Sequence, residues 1–135
     1  MFKKGDKLYS ILAMKCPRCH EGALFNSPIY QGKIYDMPDR CPCCGQSYNL
    51  EPGFYWGSMY VAYAYSSGAL LIVAGLCLLV FHLSLSVTLA ILGITALVGL
   101  FYNARLSRST WINIFVAYNS DAIAQFEAKK TALDV

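Results

Sequence analysis

Residues 52–104 decide the fold. They read PGFYWGSMYVAYAYSSGALLIVAGLCLLVFHLSLSVTLAILGITALVGLFYNA, and none of these 53 residues is Asp, Glu, Lys or Arg. Over the whole chain of 135 residues, 56% are hydrophobic and 14% are charged, whereas soluble domains carry about 25% charged residues. A soluble domain of this size cannot bury so long an uncharged run. The sequence therefore predicts a membrane protein.

The uncharged run has the length of two membrane spans. A helix rises about 1.5 Å per residue and the hydrocarbon core is about 30 Å thick, so one span takes about 20 residues. We expect spans at about residues 61–81 and 83–103, joined by a tight turn around residues 82–86. Because backbone polar groups in lipid must pair within the chain, the predicted fold class is a membrane α-helical hairpin of two transmembrane helices.

The distribution of charge predicts the orientation of this hairpin. Seven Lys and Arg residues precede the first span and four follow the second, while the turn between them has none. Positive charge at both outer ends places both termini in the cytoplasm, with Arg105 and Arg108 as the stop signal after the second span. The net charge is +3, and the basic residues are scattered, which argues against nucleic acid as a partner.

Two cysteine pairs precede the membrane segment. Cys16-Pro-Arg-Cys19 and Cys41-Pro-Cys-Cys44 are separated by 21 residues, a spacing typical of a small β zinc ribbon that holds one structural Zn²⁺ through four thiolates. Such a closed site scaffolds rather than catalyses. Disulfides are disfavoured in reducing cytosol. A redox-active CxxC motif usually lies near a βαβ pattern, which this sequence does not show. The metal identity stays open, because thiolates also bind iron and Cu(I).

Three residues around the pairs have simpler interpretations. Cys43 lies inside the second pair and is interpreted as a spare thiol rather than a ligand. His20 stands where a glycine is common, and we expect it to face solvent. Hydrophobic residues between the pairs, interrupted by prolines and a glycine, predict short strands and turns: Leu24, Phe25, Ile29, Tyr30, Ile34 and Tyr35.

Several residues are candidates for contact with a partner. Trp56, Tyr60 and Tyr63 are spaced i, i+4, i+7 and share a helical face near the entrance to the first span. This face either meets other membrane subunits or a second copy of the chain, or it is a plain lipid-facing surface. Glu51 precedes a helix, where the helix dipole alone favours a carboxylate. The full candidate set is Glu51, Tyr55, Trp56, Tyr60, Tyr63 and Trp111.

The segment after Arg108 has two interpretations. Trp111, Ile114, Phe115 and Tyr118 follow the i, i+3, i+4, i+7 pattern, which predicts an interfacial amphipathic helix. Alternatively, Trp111, Phe115 and Tyr118 pack on the zinc ribbon. The predicted division is an N-terminal amphipathic segment (1–14), the four-cysteine zinc ribbon (15–52), the two-helix transmembrane hairpin (53–104) and a cytoplasmic amphipathic tail (105–135).

These motifs resemble a known family. Cys16-Pro-Arg-Cys19 with Gly22-Ala-Leu-Phe25, Cys41-Pro-Cys-Cys44-Gly45 and Glu51-Pro-Gly-Phe-Tyr55 are similar to motifs of the small bacterial membrane proteins catalogued as domain of unknown function 983, in its Bacteroidetes-type members. The resemblance covers about residues 8–120. It implies a zinc-ribbon head on a two-span hairpin in the bacterial inner membrane, and no established biochemical role. Relatives encoded near haem–copper oxidase components hint at respiratory-complex assembly.

The sequence favours a non-enzymatic function. It contains no Ser/His/Asp grouping, no phosphate-binding glycine loop and no intramembrane carboxylate. We therefore expect an adaptor or accessory/assembly subunit whose partners are the lipid bilayer and other membrane subunits or itself, with no small-molecule substrate. The alternative is a metal or thiol handling factor for a membrane enzyme, such as a respiratory oxidase, in which Cys41, Cys43 and Cys44 form an exchangeable cluster.

Overall fold

The computed structural model describes residues 6–28 and 33–133. Four α-helices occur in this part of the chain: α1 (Lys7–Leu12), α2 (Ser58–Gly75), α3 (Leu85–Phe115) and α4 (Ala122–Leu133). A 3₁₀ turn, Phe54–Gly57, leads into α2, and a π-helical turn, Leu76–Val80, follows it. The sequence predicted an amphipathic N-terminal segment, and α1 forms within it.

The two long helices form an antiparallel pair. The continuous helical stretch Phe54–Val80 has 27 residues and α3 has 31, and both are long and apolar enough to cross a membrane, by length and composition. At about 1.5 Å per residue they extend about 40 and 46 Å. Only 6% of the most apolar window of each helix is buried, so most of each apolar stretch is exposed. The predicted pair of apolar helices is confirmed.

The turn between the long helices is closed by the chain's own polar groups. His82 adopts a left-handed backbone conformation, with φ of 50°, which reverses the chain direction. The Leu83 amide donates a 2.9 Å hydrogen bond to the Cys77 carbonyl. Near this turn, Thr88 donates its hydroxyl to the Ser84 carbonyl at 3.1 Å. Cys77 and Thr88 are both buried, so Cys77 occupies the packed position expected of a small hydrophobe.

The helix α3 runs further than the sequence predicted. We expected the second span to end near residue 103, but α3 continues without a break to Phe115. The buried Arg105 guanidinium donates two 3.0 Å hydrogen bonds, to the carbonyls of Ile34 and Lys33. Arg105 therefore marks the end of the apolar stretch without ending the helix.

The last turns of α3 pack on the cysteine head, which we define as residues 6–28 and 33–53. Ile112 and Val116 lie in one buried cluster with the four paired cysteines. The Tyr118 ring lies 4.3 Å from that of His20. The expectation of a separate interfacial helix after Arg108 is therefore wrong. The packing alternative holds for Tyr118, whereas Trp111 and Phe115 contact the Phe54 ring at the start of the first long helix. The reason is that the small head lacks enough apolar surface of its own and completes its core with α3.

The expectation of short strands is also wrong for the described residues. These residues form only two isolated antiparallel bridges, Lys15 with Ala23 and Arg40 with Ser47. Each bridge closes the loop around one CxxC pair, and the chain turns away directly afterwards. Leu24 and Phe25 are buried without strand pairing. Of the residues named for these strands, Ile29 and Tyr30 lie outside the described part of the chain.

Candidate metal centre

The two cysteine pairs fold into matching turns. In the first, the His20 amide donates a 2.9 Å hydrogen bond to the Cys16 carbonyl; in the second, the Gly45 amide donates one of 2.9 Å to the Cys41 carbonyl. His20 and Gly45 both have left-handed backbone angles, with φ of 58° and 67°. Each turn therefore directs its two sulfur atoms towards the same point from opposite sides of the head.

The four sulfur atoms are arranged as a metal would require. The Cys16 and Cys44 sulfurs are 3.8 Å apart, those of Cys19 and Cys41 are 3.7 Å apart, and all four lie within 4.8 Å of one another. A tetrahedral ion with metal–sulfur bonds of about 2.3 Å has sulfur–sulfur edges of about 3.8 Å. A disulfide would need about 2.05 Å, and all four cysteines are free. The geometry fits one tetrahedral ion.

Because the four thiols are buried, their joint ionisation requires a cation. Their side chains are 0%, 7%, 2% and 4% exposed, in the order Cys16, Cys19, Cys41 and Cys44. A hydrogen bond from the Cys16 thiol lowers the pKa of Cys41 to about 4, and the same contact, with burial, raises the pKa of Cys16. Burial raises the pKa of Cys44 to about 12. Four buried thiolates repel one another, so only a cation lets all of them ionise.

Two glycines are required by the packing around this centre. A Cβ atom at Gly22 would collide with the Cys41 sulfur, and one at Gly45 would collide with the Phe126 ring of α4. The sequence places Gly22 in a motif shared with the family but does not reveal this packing role. Its position shows that the first turn approaches the opposite ligand closely, which only glycine permits.

Tyr48 closes the other side of the cysteine cluster. It is buried, and its hydroxyl donates a 3.2 Å hydrogen bond to the Ala23 carbonyl. Burial raises its pKa, so it stays a neutral donor. The Tyr55 hydroxyl in turn donates to the Tyr48 carbonyl at 2.9 Å. These bonds connect the metal-ligating loops to the start of the first long helix.

His20 and Cys43 flank the cluster in different ways. The expectation that His20 faces solvent is wrong, since it is 2% exposed and its ring lies between those of Tyr118, at 4.3 Å, and Tyr9, at 6.1 Å. The His20 ring is therefore covered by an aromatic residue of α1 and by one from the segment that follows α3. Cys43 is half-buried and lies outside the four-sulfur group, which agrees with the interpretation of a spare thiol.

The structure separates the candidate partner-binding residues into two groups. Trp56, Tyr60 and Tyr63 are 78%, 80% and 76% exposed, and Glu51 is also exposed. By contrast, Tyr55 and Trp111 are half-buried against the Phe54 ring, at 5.1 and 6.2 Å. The first group is accessible at the surface, whereas the second group holds the head to the helices.

Two arginines have roles that the sequence did not reveal. Arg105 lies over the Phe25 ring at 4.8 Å, in addition to its two backbone contacts. Arg108 lies over the rings of Tyr35 and Tyr55, at 4.1 and 4.9 Å. Their position after the apolar run indicated only a stop signal, because contacts with residues some 70 positions away leave no local pattern.

Comparison with known families gives one match. The family described as "Protein of unknown function (DUF983)" matches residues 32–115, which is more than half of the chain. The match covers the second cysteine pair, both long helices and the last turns of α3, and it begins after the first pair. Curated proteins and solved structures gave no match. The chain belongs to the DUF983 family.

Proposed function

We propose that this chain is a non-enzymatic integral membrane protein that presents a zinc-stabilised head on a rigid two-span anchor, as an adaptor or accessory subunit of a membrane complex. The observation that carries the proposal is the position of Ile112 and Val116 in the same buried cluster as the four cysteines. Because one helix belongs to both units, a metal-organised head is fixed in orientation relative to the hairpin.

The chemistry of the cysteine site supports zinc in a structural role. Four buried sulfurs at tetrahedral spacing fill every coordination position, so no site remains for water or substrate. The ion's function is then to stabilise the head, since a head of this size has little core without it. A zinc-ribbon type of head, built on two matching turns, is consistent with this arrangement.

The exposed surface of the long helices supports a membrane location. Many of their apolar side chains are exposed, among them Leu71, Leu79, Leu97 and Val98. Soluble monomeric proteins rarely expose so large an apolar surface to water. Arg105 and Arg108 lie at the head end, and the turn at the opposite end has no Lys or Arg. We therefore place the head and both termini in the cytoplasm and the hairpin in the bacterial inner membrane.

The exposed aromatic face supports a protein partner. Trp56, Tyr60 and Tyr63 project from the head end of the first long helix, and large aromatic residues are enriched in interface cores. Other membrane subunits or a second copy of this chain are the partners proposed for it. Affinity purification in mild detergent tests this: we expect a partner to be retained by wild-type protein and lost from Tyr60→Ala, and a protein that always emerges alone would refute it.

A second function is favoured by Cys43. Its side chain is half-buried, and its sulfur would lie 3.7 Å from a Cβ atom at Gly22, beside the Cys41 ligand. A fifth thiol next to a four-thiol site could accept a metal during exchange, as in a factor that hands metal or thiol equivalents to a membrane enzyme. This alternative predicts a labile ion and a loss of function on Cys43→Ser.

Metal analysis of the full-length protein distinguishes the two functions. Cys43→Ser and Cys44→Ser change adjacent residues of the same type, so they form a matched pair. The structural proposal expects one zinc per chain in the wild type and in Cys43→Ser, and a large loss of zinc in Cys44→Ser. Transfer of bound copper or zinc to an external chelator within seconds, slowed by Cys43→Ser, would favour the handling function instead.

A further inference from the structure

A long groove lies between α2 and α3 beside the cysteine head. Its volume is about 990 Å³, and it is lined from α2 by Ala62, Ser66 and Leu70 and from α3 by Thr95, Gly99 and Asn103. A Cβ atom at Gly99 would meet nothing within 4 Å, which shows that the groove is open at this position. The groove is therefore open enough to admit a chain-like molecule along the two helices.

One end of the groove carries a positive charge. Arg108 lines this end and is held by the rings of Tyr35 and Tyr55 on its faces. Its Nη1 atom lies 4.0 Å from the Met37 sulfur, and the described residues give it no carboxylate partner. The edge of a guanidinium that is stacked in this way remains available for a bidentate bond to a phosphate.

A polar group lies deeper in the groove. The Asn103 amide nitrogen donates hydrogen bonds to the Ala62 carbonyl at 2.9 Å and to the Ser66 hydroxyl at 2.6 Å. Its Oδ1 atom is buried and accepts no hydrogen bond from the described residues. The two bonds join α3 to α2 at this depth, so the groove runs along the helix pair and Asn103 forms part of its floor.

The remainder of the groove is apolar and has the length of a lipid chain segment. Arg108 and Thr95 are 13 positions apart on one helix, which corresponds to about 20 Å. Half of the hydrocarbon core is about 15 Å thick, and the headgroup region adds several more. A molecule with its phosphate at Arg108 would thus place an acyl chain along Gly99 and Thr95, at the depth where lipid tails lie.

We propose that this groove binds one anionic glycerophospholipid, with its phosphate at Arg108 and an acyl chain along the groove between α2 and α3. This proposal rests on the proposed membrane location of the hairpin. The bound lipid would fill the space between the helices next to the head and bring negative charge to an arginine that has no acidic partner in the described chain.

Native mass spectrometry tests the proposal on the full-length protein. The chain is reconstituted in nanodiscs that contain phosphatidylglycerol and phosphatidylcholine in equal amounts, and the lipids retained by each released chain are counted. We expect the wild type to retain one phosphatidylglycerol. Arg108→Gln should lower the ratio of phosphatidylglycerol to phosphatidylcholine about tenfold, because both lipids carry a phosphate but only phosphatidylglycerol has a net negative charge for Arg108 to attract. Arg40→Gln, at an exposed arginine of the head, should leave the ratio unchanged.

A second pair of variants tests the groove without touching its charge. Gly99→Phe should fill the groove and abolish lipid retention. Gly93→Phe, at a position of α3 that is equally open but does not line the groove, should retain lipid like the wild type. Circular dichroism of all four variants verifies that their helices remain folded. If Arg108→Gln unfolds, the comparison of Gly99→Phe with Gly93→Phe still tests the proposal.

Each failure has its own signature. Lipid retention at the wild-type level in Gly99→Phe, or displacement of the lipid by inorganic phosphate alone, would overturn the groove assignment while the membrane proposal stands. A chain that does not enter nanodiscs at all would refute the membrane location and the lipid site together.

Discussion

The indole ring of Trp111 occupies the space in which a side chain at Gly57 would stand. A Cβ atom at Gly57 would overlap the ring, and the Trp111 Nε1 atom donates a 2.7 Å hydrogen bond to the Phe54 carbonyl. The contact joins the beginning of the first long helix to the last turns of α3, 57 positions away along the chain. This contact holds the two long helices together at the end of the hairpin that lies next to the cysteine head.

Replacement of Gly57 by alanine should therefore separate these two helices. The added methyl group cannot be accommodated by a ring whose nitrogen is hydrogen-bonded, and such overpacking costs about 1–3 kcal/mol. We expect a lower midpoint of thermal unfolding in detergent. Gly93→Ala is the matched control, because its Cβ would meet nothing and alanine favours a helix by about 1 kcal/mol over glycine. Equal midpoints for the two variants would contradict the contact.

A methyl group at Gly22 should weaken metal retention. It would collide with the Cys41 sulfur and displace one ligand from tetrahedral geometry. We expect Gly22→Ala to lose its ion to a chelator at least about tenfold faster than the wild type, which corresponds to about 1.4 kcal/mol. The neighbouring substitution Ala23→Ser, at an exposed side chain, should have no effect. Chelator competition followed by absorbance measures both rates, and an unchanged rate in Gly22→Ala would count against the site.

Metal binding should become weaker as the pH falls. In the metal-free head the pKa values of Cys16 and Cys44 are raised, so both thiols carry protons at pH 7 and release them when an ion binds. The pKa of Cys41 is lowered to about 4, so this residue releases no proton at neutral pH. We expect calorimetry in buffers of different ionisation enthalpy to find at least two protons released per ion. A release of none would show that the site is not built from these thiols.

Removal of the Arg105 guanidinium should loosen the loop that contains Ile34. Its two hydrogen bonds satisfy carbonyls that are otherwise without a side-chain donor, and loss of a buried charged donor costs about 1.5–3 kcal/mol per bond. We expect Arg105→Gln to be cleaved near residue 34 by a protease at concentrations that leave the wild type intact. Arg40→Gln is the exposed control. Equal cleavage of both variants would show that Arg105 does not stabilise this loop.

The sequence was sufficient for the features that depend on local pattern. The uncharged run predicted two apolar helices, and the spacing of Cys16, Cys19, Cys41 and Cys44 predicted which sulfurs meet. Both patterns arise from rules that act within a few residues: helix length against bilayer thickness, and two ligands per tight turn.

The features that the sequence did not predict depend on distant contacts. Arg105 indicated where the apolar stretch ends, but the helix continues because Ile112 and Val116 complete the core of the head. His20 was expected to face solvent because a glycine is common at its position, but the Tyr118 ring, 98 positions away along the chain, packs against it together with Tyr9. Tertiary packing overrode local propensity in both cases.

We propose that four cysteines hold one zinc ion in a head that is continuous with the helical hairpin. X-ray absorption at the zinc edge of the full-length protein, purified in detergent without added metal, tests this most directly. A zinc site built from these four thiolates predicts a single shell of four sulfur atoms at about 2.3 Å. A shell that contains nitrogen or oxygen, or a protein without zinc whose cysteines are joined in disulfides, would contradict it.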